Sequence, residues 1–149
     1  MTAGDDATVQ AAEHLFDGPV RTEWATNFLQ QPGHHLCLAM VGIEAVGFVS
    51  GVEIIHPDKG TEMLLYELGV DEAFRRRGIG RALVDALAEL AQDRGCSGMG
   101  VLTDGDNAEA IATYRSGGAA GPSSPILFEW TFPTGGAASL PPPQPTTSS

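Results

Sequence analysis

Residues 62–95 constrain this chain more than any other stretch: they read as a strand, an arginine-rich turn and a long amphipathic helix. Ile79, Ala82, Leu83, Ala86, Leu87, Leu90 and Ala91 recur at helical spacing, so one continuous apolar stripe must be covered by a second layer. Gly95 supplies the stop. The rest of the chain offers that layer. Leu36 to Gly42 and Ala45 to Ile55 predict two strands joined by a tight turn at Gly42–Glu44, and Glu62 to Val70 a third. Gly98 to Thr103 and Ile126 to Phe132 predict two more. Helices are expected over Thr8 to Phe16, around Trp24, Phe28 and Leu29, and over Asn107 to Arg115. The order α-α-β-β-β-α-β-α-β predicts an α/β fold with a mixed central sheet and helices on both faces.

At 149 residues with 42% apolar side chains, the chain suits one domain with a real core, expected over residues 1–132. Residues 133–149 carry no charge and five of the ten prolines, which predicts a disordered Pro/Ser/Thr-rich tail. Eight Lys and Arg against nineteen Asp and Glu leave a net charge of −11. That balance argues against nucleic acid or an anionic membrane as partner and suits a cationic one. Cys37 and Cys96 make no disulfide framework, and His14, His34, His35 and His56 form no helical ligand pair, so no metal is expected. The acidic start and the absence of a spanning apolar run predict a cytoplasmic location.

Chemistry concentrates at the turn. Arg75, Arg76, Arg77 and Arg81 crowd the start of a helix that is already electropositive, so an anion is expected there. Gly78 and Gly80 let backbone N–H groups approach it closely, as in a phosphate cradle. The alternative is a solvated basic turn balanced by Asp71 and Glu72. Neither a P-loop nor a dinucleotide-binding GxGxxG is present.

Arg75-x-x-Gly78-x-Gly80, following a strand that ends Leu68-Gly69-Val70 and followed by Asn107 and Tyr114, resembles the GCN5-related N-acetyltransferase (GNAT) superfamily. Within it, Leu65 to Val70, Phe74 to Ile79, Asp104 to Tyr114 and Leu15 to Gly18 look most like the gentamicin-type aminoglycoside 3-N-acetyltransferases. Glu67 stands where that group usually has Asp, and the family's first strand is expected to be cut short. The resemblance implies acetyl-CoA in a cleft between splayed strands. Leu68, Gly69 and Val70 would hold pantetheine through the main chain. Arg75, Arg76, Arg77, Gly78, Ile79, Gly80 and Arg81 would take the pyrophosphate, and Asn107 would reach the pantetheine near the thiol.

Amine acetylation needs a proton acceptor, a polarised thioester and a proton for the departing thiolate. Strand alternation turns Glu67 to the face opposite Tyr66 and Leu68, beside the expected thioester, which makes it the candidate base; the resemblance implies backbone N–H groups of Leu68 to Val70 as oxyanion donors and Tyr114 as acid. The competing readings are a solvent-exposed strand glutamate and an ordinary helix tyrosine. A cationic amine would need a carboxylate-lined cleft, with Glu53, Glu62, Asp104, Asp106 and Glu129 as candidates; Asp106 could instead cap the last helix. The leading expectation is acetylation of an aminoglycoside 3-amino group. A polyamine, another small amine or a protein amino group is the alternative acceptor, and a non-catalytic acyl-CoA-binding module is the alternative class. The last strand, Ile126 to Phe132, could pair across a homodimer.

Overall fold

The apolar periodicities resolve into a four-stranded sheet covered on both faces in the computed structural model, which describes residues 6–123 and 125–133. In chain order come helix α1 (Asp6–Ala11), a 3-10 turn at Glu13–Leu15, α2 (Thr22–Gln30), β1 (His34–Val41), β2 (Glu44–His56) and β3 (Gly60–Val70). A second 3-10 turn, Glu72–Phe74, leads into α3 (Ile79–Asp93), β4 (Met99–Val101) and α4 (Ala108–Ser116). The sheet order is β1-β2-β3-β4. The first three strands are antiparallel, and β4 lies parallel to β3. No helix among the described residues is long and apolar enough to cross a membrane.

Strand alternation sorts the core into two layers. Val49, Met63, Leu65, Leu68 and Val70 face α3 and α4, meeting Leu83, Val84, Leu87 and Ala91 of the expected helical stripe, with Ala110 and Tyr114 beyond. Leu36 and Phe48 face the other way, onto Val9, Ala25, Leu15 and Phe16. A bulge between Ser50 and Gly51 pairs Ser50 with Glu67 and Gly51 with Leu65, so Tyr66 is the extra residue. It lets Leu65 and Leu68, three apart, bury the same face.

The structure revises the expected elements at both ends. Residues 8–16 do not form one helix. Α break at buried Ala12 separates α1 from the 3-10 turn. There the Phe16 ring packs edge-on against Phe48 at 4.8 Å and the Glu13 carboxylate accepts from the Val20 N–H at 2.8 Å. Ile126 to Phe132 form no strand; Ile126, Phe128, Trp130 and Phe132 stay exposed, Trp130 at 75%. The three-residue β4 leaves too short a ladder for a seven-residue run to extend. The expected tail from residue 134 onward, and the residues before Asp6 that bear on a shortened first strand, lie outside the described residues.

Glu53, expected among the acceptor-binding acids, is instead a structural staple. Its side chain is only 7% exposed, and one oxygen, Oε2, accepts from His35 Nε2 at 2.6 Å and Arg94 Nε at 2.5 Å. Burial alone would raise its pKa, but the His35 and Arg94 bonds and charges overcome that and hold it below the usual glutamate value. A depressed carboxylate pKa stabilises the fold above the unfolded-state value, and the gain is lost as pH falls through the folded-state value. Glu53→Gln should therefore cost about 1 kcal/mol at neutral pH, because Arg94 is partly exposed and water takes over much of its pairing. Urea unfolding should show the gap between variant and wild type narrowing in acid.

Candidate active site

β3 pairs with β4 through Met63, Leu64 and Leu65, where β4 ends at Val101, and a single bridge residue follows at Thr103. β3 continues along β2 to Val70, and this end forms one wall of a cavity of about 260 Å³. Glu67, Leu68, Gly69 and Val70 line it together with Phe48, His14, Leu15, Asp17, Asp71, Glu72 and Arg75. Gly69 is required by the packing, because a Cβ there would lie 2.7 Å from the Phe48 ring.

The turn after β3 is held by short-range bonds. The Asp71 N–H donates to Val46 O at 2.7 Å, the Asp71 carboxylate accepts from Ala73 N–H at 3.0 Å, and Arg75 Nε donates to Val70 O at 3.1 Å. Gly78 then takes a left-handed φ of +80° as the cap of α3, with open space where a Cβ would stand. No side chain caps this helix start, so its first N–H groups face the electropositive end that favours an anion. Arg76 lies 4.0 Å from Glu109, Arg77 stacks over the Phe74 ring at 5.1 Å, and Arg81 reaches Asp85 at 3.6 Å. The Arg76 and Arg81 pairs are exposed and weak. Ile79 and Gly80 open the helix, with Gly80 buried beneath it. This donor set of backbone N–H groups and guanidiniums fits a pyrophosphate.

Glu67, the expected base, lines the cavity. Glu67 is half-buried on the Phe48 face, opposite Leu68, and burial followed by the Asp17 charge raises its pKa above the ordinary glutamate value. Tyr114 is only 6% exposed and packs in the α3–α4 layer rather than lining the cavity. Burial pushes its phenol up to about 12. Asn107 is 1% exposed and is itself the cap of α4, its Oδ1 accepting from Ala110 N–H at 3.1 Å. That leaves Asp106 outside the capping role.

None of the five expected acceptor acids lines the cavity. Glu53 is consumed by His35 and Arg94. Glu62 lies five residues up β3, about 17 Å from Glu67 at strand rise. Asp104 and Asp106 lie exposed in the loop before α4, and Glu129 lies exposed beyond it. The carboxylates that do line it, besides Glu67, are Asp17, Asp71 and Glu72. Sequence reasoning passed over Asp17 and His14. No periodicity brings residue 17 to residue 67, and the only signal was the Leu15-Phe-Asp-Gly18 segment of the family resemblance.

The model of the acetyltransferase (GNAT) family matches residues 6–118. The N-alpha-acetyltransferase RimI of Mycobacterium tuberculosis is 36% identical over 75% of this chain and 68% of its own. The chain spans less than half the length of the first curated relatives it matches, 20% of one and 41% of another. An aminoglycoside acetyltransferase from an uncultured soil metagenomic sample, solved with sisomicin, superposes with a TM-score of 0.82 at 19% identity, covering 89% of this chain and 93% of that one. The enzyme AAC(6′)-Iy, solved with a CoA–acetylneamine bisubstrate analogue, superposes at 0.73 with 18% identity over 89% and 95%. At these identities the two structures bear on the fold alone. They do not support the narrower gentamicin-type 3-N grouping that the sequence resemblance suggested. The family match over most of the chain, together with the short β3–β4 ladder and the glycine–arginine helix start, shows that this chain belongs to the acetyltransferase (GNAT) family.

Proposed function

We propose that the protein is an acetyl-CoA-dependent N-acetyltransferase acting on a small cationic amine. The observation that carries this reading is the cavity itself. It is walled by Glu67, Asp17, Asp71 and Glu72 at the end of β3, and it borders the arginine-rich start of α3. Four carboxylates concentrate an ammonium group, while the helix start suits the anionic donor. Acetyl-CoA supplies the acetyl group as a thioester. Arg75 to Arg81 hold its pyrophosphate, and the main chain of Leu68 to Val70 aligns pantetheine and steadies the carbonyl oxygen.

Glu67 takes the proton from the ammonium, leaving the neutral nitrogen that attacks the thioester. Its raised pKa makes it a better proton acceptor than an exposed carboxylate. The candidate donor to the departing thiolate is Tyr114, kept protonated by burial in the α3–α4 layer behind the cavity wall. Asn107, while capping α4, positions that helix beside the thiol end of the site.

An aminoglycoside is the first acceptor to test, with its 3-amino group as the expected position. Likeness to RimI supports a second reading, a protein α-amino group. CoA-thiol release with gentamicin, kanamycin, spermidine and an alanine-initiated peptide separates them: saturable turnover with the aminoglycosides supports the first, turnover with the peptide alone the second. Acetyl-CoA binding without release with any amine would leave a non-catalytic module.

Glu67→Gln should lower kcat at neutral pH by about 100-fold. In the wild type, kcat/KM should rise with pH as Glu67 loses its proton, with the midpoint above the ordinary glutamate range; the variant should lack that limb. Tyr114→Phe should lower kcat with acceptor KM unchanged. Normal turnover with reduced stability would assign Tyr114 to packing.

A further inference from the structure

Among the described residues, Thr103 Oγ1 is the one buried side-chain polar atom without a hydrogen-bond partner. A hydroxyl sealed from water and left unbonded costs free energy, and in a native fold it points to a partner outside the chain. Its place in the sheet says which partner. Met63 pairs with Met99 and Leu65 with Val101; the same offset sets Thr103, the bridge residue beyond β4, level with Glu67. Neighbouring strands lie about 4.8 Å apart, so Thr103 stands where the cavity wall of Glu67 to Val70 begins. After it the chain leaves the sheet in a loop whose Asp104 O accepts from Asn107 N–H at 3.1 Å, and α4 follows. Alternation turns the Thr103 side chain the same way as Val101, toward the layer shared by α3 and α4; Leu102 between them is 52% exposed. Leu68 and Val70 belong to that layer and also line the cavity. The hydroxyl therefore lies where the end of β4, the α3–α4 layer and the cavity strand converge.

We propose that Thr103 is a positioning residue for the acyl donor, its hydroxyl taking a hydrogen bond with an amide of the pantetheine arm. This rests on the N-acetyltransferase reading and deepens it. Pantetheine is a narrow chain interrupted by amides, and each amide that leaves water must find a partner. The main chain of Leu68 to Val70 is the wall along which the arm is aligned, and Thr103 stands at the head of that wall with a group that both donates and accepts. The free protein carries an unpaired hydroxyl and the ligand an amide to be desolvated, so one bond relieves both costs. A buried water is the other occupant that would satisfy Oγ1, and the two occupants make opposite predictions for the free protein.

Thr103→Val removes the hydroxyl and keeps the branched shape, whereas Thr103→Ser keeps the hydroxyl. Without ligand, the valine variant should unfold at a urea midpoint equal to or above that of the wild type, because an unpaired buried hydroxyl is lost. Calorimetry should show its CoA affinity lowered about fivefold, the worth of one neutral hydrogen bond, with the serine variant close to the wild type. The fragment 3′-phospho-ADP, which has the nucleotide and pyrophosphate but no pantetheine, should bind the wild type and the valine variant equally. Unchanged CoA affinity in the valine variant, an equal loss for the fragment, or a serine variant as weak as valine overturns the contact and leaves the acetyltransferase reading standing. So does a valine variant less stable than wild type without ligand, or one that does not fold, since the hydroxyl would then be bonded already in the free protein. A wild type that binds no CoA overturns the contact and the reading together.

Discussion

The site depends on the shortness of the ladder between β3 and β4. Parallel strands gain stability from being paired and covered, yet here the ladder ends after three residues, at Leu65. Tyr66 follows as the bulged residue, and the next four, Glu67 to Val70, line the cavity. The bulge keeps Leu68 and Val70 in the α3 core while Glu67 faces the Phe48 side. Core packing therefore sets the direction of the candidate base. A strand held firmly by β2 on one side and released by β4 on the other is both rigid and accessible.

Two opposite charge environments meet at the end of that strand. Half of the chain's eight cationic side chains are Arg75, Arg76, Arg77 and Arg81, in a protein of net charge −11. They gather at a helix start that already favours anions. On the cavity side, Asp17, Glu67, Asp71 and Glu72 gather negative charge. On the proposed reading, an anionic acyl donor and a cationic acceptor would both be drawn to this end of β3, and Arg75, pinned to Val70 O, marks the boundary. The proximity of the Asp17 and Glu67 carboxylates opposes ionisation of Glu67, which a cationic acceptor would relieve.

Local pattern made part of this legible. The stripe from Ile79 to Ala91, the three antiparallel strands and the glycine–arginine turn follow from periodicity and turn chemistry, and each occurs close to its expected bounds. Glu67 was singled out because strand alternation and a motif coincide there. Contacts distant in sequence were not legible. Glu53 reads as an available acid until His35 and Arg94, on β1 and past α3, are seen to close on it. Asn107 reads as a ligand contact, and nothing in the local pattern showed that its Oδ1 also caps its own helix. His14 and Asp17 come to line the same cavity as Glu67 only after the turn after α1 folds over Phe48. The alternation from Ile126 to Phe132 suggested a strand, but alternation records only a capacity to pair, and β4 is too short to provide a partner.

The central claim is that the cavity-lining end of β3 and the uncapped start of α3 form one binding surface for the acyl donor. Backbone amide hydrogen exchange with and without saturating CoA tests it most directly. The account predicts slowed exchange confined to residues 68–70 and 77–81, with β1 and the far end of β2 unchanged. Binding that leaves those two segments unprotected, or protects residues elsewhere in their place, would contradict it.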